Sequence, residues 1–257
     1  MKLPNCCLWA IFLTFLIQAP AASRVASFPG DEAFEKMDYR TAERQYDSVL
    51  CVIAPHPDLF WRLARLHIAV GDVAEENERM EHYRYAEESA RHCISLDSTN
   101  SEGYAWLGAA LGSLAMDAGS RRKVELANEI KRCLDRAVAL DPKNDVAWSI
   151  LGTFYRSLGG VSWIERQLAN LLLGSLPEGG YAESEQAFQR AIAIAPNIVR
   201  HRFELALLYE QTDRLAQAGA EYTQCTLLAP QMASDRKRKA EALKWLHENQ
   251  ERTQNMQ

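Results

Sequence analysis

The sequence predicts an all-α solenoid in which antiparallel helix pairs stack side by side. Two observations carry this prediction. Apolar residues recur at i, i+3, i+4 and i+7 along most of the chain, which places them on one face of each helix. The helix–turn–helix pattern then returns about five times, and the second helix of each unit ends near a comparable position: Ala54, Ser98, Pro142, Pro196 and Pro230. Such units cannot bury their apolar faces alone and must stack on neighbours.

The clearest unit lies between Asp145 and Pro196. It reads Trp148-x2-Leu151-Gly152-x2-Tyr155 and continues, after an insertion, with Phe188, Ala191 and Pro196. These are the packing residues of a tetratricopeptide repeat, a helical hairpin of about 34 residues. Small residues let two helices approach closely, and large aromatic residues fill the gaps between them. The unit therefore predicts a tetratricopeptide solenoid, an architecture that presents surface for binding.

The predicted organisation divides the chain into a leader, a repeat array and a tail. Residues 1–23 form the leader, 24–250 the array and 251–257 a frayed tail. Within the array, the units span about residues 31–55, 57–99, 101–143, 145–197 and 199–231, followed by a capping helix at 234–250. The apolar insertion 161–180 predicts an extra helix that ends in a Gly/Pro loop.

The leader has the pattern of a signal peptide. Lys2 precedes an apolar run, Cys6–Ile17, and the small residues around Ala21 and Ser23 follow it. This pattern predicts cleavage and export to the periplasm or the exterior, with an uncleaved membrane anchor as the alternative. Export would permit disulfides among the four remaining cysteines. Cys93 and Cys225, however, occupy positions of small core residues, which favours free and buried thiols.

Three segments carry a resemblance to a known family. They are Trp61-Arg62-Leu63-Ala64-Arg65, the stretch Lys123–Asn128, and Trp163-x2-Arg166-Gln167-x-Ala169. In their order and spacing, the chain resembles the regulator of microtubule dynamics family of tetratricopeptide proteins, in a bacterial-type form, over about residues 31–247. The resemblance implies an all-helical array without enzymatic activity. It supplies no catalytic residue, and it associates animal members with microtubules, mitochondria and organelle membranes.

The concave side of the array is the predicted binding groove. In such arrays the first helices of successive units line it, which selects a set of candidate partner-binding residues: Trp61, Arg65, Ala109, Ser149, Thr153, Arg156, Phe203 and Leu207. Arg65 and Arg156 are suited to grip a carboxylate or phosphate. Trp61 and Phe203 are suited to anchor apolar groups. The alternative is that the arginines pair with local acids and the aromatic residues are part of the packing.

These observations predict an exported, non-enzymatic scaffold that binds a protein or peptide in its groove. The chain shows no phosphate-binding glycine loop, no zinc motif and no nucleophile elbow, so no cofactor, metal or catalytic residue is predicted. A net charge of −5 gives no indication of a nucleic-acid partner. The alternatives are a microtubule or organelle role, as in animal relatives, and a lipid-binding or membrane-associated protein. In the lipid alternative the insertion forms a pocket lined by Trp163, Arg166, Leu168 and Leu172.

Overall fold

The computed structural model describes residues 27–255, and all regular secondary structure in that range is α-helical. The predicted leader lies outside the described residues. The twelve described helices are α1 (Asp31–Glu35), α2 (Tyr39–Leu50), α3 (Pro57–Gly71), α4 (Glu76–Leu96), α5 (Ser101–Ala115), α6 (Ser120–Leu140), α7 (Asp145–Gly159), α8 (Trp163–Leu172), α9 (Tyr181–Ile194), α10 (Val199–Gln211), α11 (Leu215–Leu227) and α12 (Ala233–Asn255). None of these helices combines the length and apolar character needed to span a membrane.

The helices form stacked pairs, which confirms the all-α repeat fold predicted from the sequence. α3 packs on α4, α5 on α6, α7 on α9, and α10 on α11. The first members of these pairs also contact one another in order, from α3 through α5 and α7 to α10. They form an inner layer, and the second members form an outer layer. α8 is inserted in the chain between α7 and α9, and α12 packs on α10 and α11.

A close helix contact explains why glycine recurs in the first helices. A Cβ atom on Gly152 of α7 would lie 2.6 Å from the ring of Phe188 on α9. At the same place in the preceding pair, a Cβ atom on Gly108 would lie 2.8 Å from the side chain of Leu134. Both distances are shorter than a van der Waals contact. Glycine therefore sets the spacing of each pair and leaves room for the large side chain opposite.

Asparagine caps tie successive pairs together. Asn144 begins α7, where its Oδ1 accepts the Ala147 backbone N–H at 2.8 Å. Its Nδ2 donates back to α5, to the Ser101 hydroxyl at 2.9 Å and to a Glu102 oxygen at 3.2 Å. Asn100 caps α5 in the same way. Each cap therefore satisfies a helix end and also fixes one pair against the next.

The two ends of the described array meet. The Ala233 backbone N–H, at the start of α12, donates to the Tyr39 hydroxyl of α2 at 2.9 Å. Arg238 of α12 lies 3.9 Å from the Asp72 carboxylate that follows α3. Between these contacts, Met232 packs against the apolar clusters built on α1–α3 and on α3–α7. The concave side is therefore a partly enclosed cavity instead of an open groove.

Candidate functional site: a cavity on the inner layer

A cavity of about 260 Å³ lies where the inner helices face the start of α12. Its polar groups come mainly from the beginnings of α5, α7, α10 and α12. Apolar and charged side chains alternate around its wall: Phe34, Glu35, Trp61, Arg65, Glu102, Trp106, Asp145, Val146, Ile198, Arg200, Gln231, Met232 and Asp235. A concave, mainly apolar site with a few convergent polar groups is the usual form of a binding pocket.

Arg65 is held against the aromatic part of the wall. Its guanidinium carbon lies 3.8 Å from the ring centre of Phe34 and 5.2 Å from that of Trp61. Asp31 is its nearest carboxylate, at 4.0 Å, but that carboxylate also pairs with Arg62 at 2.7 Å. Burial lowers the pKa of Arg65 below its ordinary value. Arg65 is thus a positioned cation whose charge is only weakly neutralised by the protein.

Arg200 lacks a hydrogen-bonded partner among the described residues, and its Nε is buried. Burial lowers the pKa of Arg200 from its ordinary value. Four carboxylates attract its charge. Each already has a closer partner: Asp145 with His201 at 2.8 Å, Asp235 with Arg238 at 3.1 Å, Glu204 with Arg156 at 2.5 Å, and Asp72 with the Tyr83 hydroxyl at 3.3 Å. A buried guanidinium nitrogen without a hydrogen bond is costly, so this group is available to an external anion.

Glu102 is an acidic group of the cavity that has no cationic partner in hydrogen-bond contact. Its carboxylate accepts the Trp106 indole N–H at 2.9 Å and the Asn144 amide N–H at 3.2 Å. Burial raises the pKa of Glu102 to about 7. A substantial fraction of Glu102 is therefore protonated and uncharged at neutral pH, which reduces its repulsion of an anionic ligand.

A histidine–aspartate contact joins α7 to α10 beside the cavity. Burial lowers the pKa of His201, so the ring is neutral at pH 7 and its Nε2–H donates to the Asp145 carboxylate at 2.8 Å. Burial alone would raise the pKa of Asp145, but the hydrogen bond from His201 leaves that pKa below its ordinary value. Asp145 therefore remains ionised, and its carboxylate is hydrogen-bonded to His201.

The lipid-pocket candidates of the insertion lie on a different surface. Trp163, Leu168 and Leu172 of α8 are exposed, so they do not enclose a lipid. Arg166 points the other way: its guanidinium donates to the backbone carbonyls of Pro177 and Leu158, at 2.9 and 3.2 Å. The four residues share one helix but not one pocket.

Comparison with known proteins gives the family. The family model described as "Regulator of microtubule dynamics protein 1-3" matches residues 29–250 of the chain. The chain belongs to this family. Family members with similar sequences include regulator of microtubule dynamics protein 3 of Bos taurus, 24% identical over 69% of this chain and 38% of that protein. Protein 1 of Pongo abelii is 23% identical over 72% of this chain and 62% of that protein.

The chain thus spans between 38% and 62% of the length of these two curated family members. Among solved structures, it is similar to TTC0263, a thermophilic TPR protein of Thermus thermophilus. The TM-score is 0.61 with 22% identity, covering 83% of this chain and 95% of that one. At this identity the likeness shows the fold alone. It agrees with the tetratricopeptide assignment made from the repeat residues.

The structure brings two of the eight predicted groove residues of this family member into the cavity, Trp61 and Arg65. Ser149 and Phe203 are buried in the inner layer, and Arg156 is paired with Glu204 at 2.5 Å. The remaining three, Ala109, Thr153 and Leu207, are half-buried. None of these six side chains lines the inner cavity. Phe203 instead lines a second cavity, of about 300 Å³, with Arg238 and Glu241 of α12.

Sequence reasoning missed the charged residues that do line the cavity, chiefly Glu102, Arg200 and Asp235. It selected positions in the middle of the first helices, where neighbouring helices pack together. Glu102 and Arg200 are instead the second residues of α5 and α10. Their shared place at a helix start was the available signal. Asp235 comes into the cavity only through the closure by α12, which no local pattern indicates.

Proposed function

We propose that this protein is a non-enzymatic scaffold that binds a short acidic segment of a partner protein in its inner cavity. The observation that supports the proposal is Arg200, a guanidinium on the cavity wall without a hydrogen bond from the described residues. A carboxylate of the partner would provide that hydrogen bond, and two parallel N–H···O contacts would orient it. The tetratricopeptide fold is a common architecture for such interaction surfaces.

The shape of the cavity restricts what the segment can be. Its volume of about 260 Å³ lies just below the roughly 300–1,000 Å³ of sites for drug-sized ligands. It therefore takes one or two side chains of a partner. The aromatic and aliphatic wall, with Trp61 and Trp106, suits an apolar residue beside the acidic one. Arg65 provides a second cation, so Arg200 takes the place of Arg156 in the arginine pair suggested by the sequence.

The names of the relatives associate those proteins with microtubule dynamics. A microtubule-associated partner is accordingly one instance of the scaffold proposal. Export, with removal of residues 1–23 and release into the periplasm or the exterior, also stays a proposal. It depends on the sequence pattern of a segment outside the described residues, as does the alternative of an uncleaved membrane anchor.

Selection from a displayed peptide library tests the cavity. Peptides selected on the whole protein should contain Asp or Glu next to an apolar residue. Fluorescence anisotropy then measures the affinity of a selected peptide for variants. Arg200→Gln should weaken binding about tenfold or more, because truncating one partner of a buried charged hydrogen bond is costly. Quenching of Trp61 and Trp106 emission by the bound peptide would place it in the cavity.

Arg202→Gln is the matched control on the same helix. Arg202 pairs with Glu221 at 2.9 Å and does not line the cavity, so this variant should bind within about twofold of the parent. Selected peptides without acidic residues, or equal affinity for the Arg200 and Arg202 variants, would rule out the assigned role of Arg200. Circular dichroism of each variant separates lost binding from lost structure.

A further inference from the structure

The helix α8 turns its apolar face toward solvent. Ile164, Leu168, Leu171 and Leu172 follow the i, i+4, i+7, i+8 pattern and so share one face of the helix. Their side chains are 71%, 54%, 80% and 60% exposed, and the adjacent Trp163 is 73% exposed. We name these five residues the α8 stripe. Contiguous exposed apolar surface of this kind marks an interaction site on a soluble protein.

The orientation of α8 is determined by its other face. Ala169 is the buried residue of the helix. Arg166 lies on the same side and donates to the Leu158 and Pro177 carbonyls. At the start of the helix, the side chain of Ser162 and that of Glu165 cap each other's backbone N–H groups. Rotating the helix about its axis to bury the stripe would break the hydrogen bonds of Arg166. These hydrogen bonds therefore keep the stripe exposed.

Cations flank the stripe at one end. The loop after α8 packs on the first turns of α6, where the Asn128 amide donates to the Ser175 carbonyl at 2.9 Å. Gly174 also approaches Val124, whose methyl carbon lies 3.7 Å from the position of a Cβ on that glycine. Arg121 and Lys123, within one turn of Val124 on α6, are exposed and have no carboxylate partner among the described residues. These two cations form the α6 tip.

The acidic residues nearest the stripe lie elsewhere. Glu165 belongs to the first turn of α8, at the end opposite the loop, and its carboxylate is used in the cap. Glu125 pairs with Arg122 at 3.1 Å. Glu178 follows in the loop and is exposed. The two cations of the α6 tip therefore have no carboxylate partner among the described residues, and the exposed acids Asp117 and Glu178 lie in the loops before α6 and after α8.

We propose that the α8 stripe and the α6 tip form a docking face for the surface of an anionic lipid bilayer. An amphipathic helix lying in the membrane plane inserts its apolar residues among the acyl chains and keeps its polar face in water. Tryptophan is favoured at that depth. Lysine and arginine beside the helix attract anionic headgroups. This surface is distinct from the inner cavity, so the inference stands independently of the proposed function.

Vesicle sedimentation tests the docking face with the full chain. The protein should sediment with vesicles of phosphatidylcholine and phosphatidylserine and much less with phosphatidylcholine alone. The emission of Trp163 should shift to shorter wavelength on binding, and Trp163→Phe should remove that shift. The double variant Ile164→Ser with Leu171→Ser should weaken partitioning about tenfold or more. Arg121→Glu with Lys123→Glu should abolish the preference for phosphatidylserine.

The matched control is the double variant Val52→Ser with Leu227→Ser, two apolar residues that are 83% and 74% exposed away from α8. It should bind vesicles as the parent does. Because the residues before position 27 are the same in all variants, only the difference between variants reports on α8. Equal vesicle binding by the stripe and control variants would overturn the proposal. So would loss of a dimer, measured by light scattering, in the stripe variant while vesicle binding is retained.

Discussion

The two helices that enlarge the repeat, α6 and α8, differ in the exposure of their apolar residues. Most of those of α6 are buried, whereas most of those of α8 face solvent. α6 has 21 residues against 13 in α11, which adds about two turns. Two whole turns keep a helical face in phase, and the added apolar residues Val124 and Leu126 are buried. α8 has 10 residues and the same kind of amphipathic pattern, but Ile164 and Leu168 face solvent.

The difference arises from the elements that each helix packs against. α6 packs on α5 and α7, so its apolar face has a partner surface. α8 is an added element outside the pairs, and its attachment is polar, through the guanidinium of Arg166 and two backbone carbonyls. An amphipathic pattern therefore identifies a helix and its two faces. The neighbouring elements decide which of those faces is buried.

The largest expected effect is in α6. Ile130→Ala removes a buried side chain from the apolar core shared by α3–α7. It should lower the free energy of unfolding by about 3 kcal/mol, because the lost burial adds to the cost of a cavity. Urea unfolding followed by circular dichroism measures this loss. A change of less than about 1 kcal/mol would show that the buried face of α6 contributes little to the stability of the array.

An intermediate effect is expected at the polar attachment of α8. Arg166→Ala removes the donors to the Leu158 and Pro177 carbonyls. The helix should then open locally, and hydrogen exchange of the α8 amides should accelerate about tenfold or more. Global stability should change by about 1 kcal/mol or less.

The matched control for this variant is Arg190→Ala. Arg190 is exposed on α9 and makes no side-chain hydrogen bond within the described part of the chain. Its variant should leave α8 exchange unchanged. If the α8 amides exchange equally slowly in both variants, α8 is held in place by Ala169 and its N-terminal cap, and not by the guanidinium of Arg166.

Sequence reasoning predicted the fold because the repeat residues act locally. Gly152 and Phe188 form one close contact between α7 and α9, and that contact needs a small residue opposite a large one. The insertion likewise predicted a helix close to α8, because its apolar stretch is followed by a Gly/Pro loop. These signals are carried by short stretches of chain. Constraints that act within such short stretches of chain can be predicted from a single sequence.

The cavity could not be predicted in the same way because it forms only when the ends of the array meet. The contact between Ala233 and Tyr39 joins residues 194 positions apart. The same closure brings Asp235 and Met232 to the wall opposite Trp61. Curvature of a solenoid accumulates from a small rotation in each repeat. Five approximate repeats do not specify the total curvature. The sequence therefore predicts a groove lined by the middle positions of the first helices, and not a cavity closed by α12.

The smallest expected effect completes the comparison of α6 with α8. Leu172→Ser replaces a leucine on the α8 stripe that is 60% exposed. Because little apolar surface is removed from water there on folding, the free energy of unfolding should change by no more than about 0.5 kcal/mol. The same urea titration that measures Ile130→Ala measures this variant. A loss above about 1 kcal/mol would mean that the stripe is packed against the protein in solution, and the docking face would then have no exposed apolar surface to offer. A neutral result, beside a large loss at Ile130, would show that the apolar residues of α8 are retained for something other than the stability of the array.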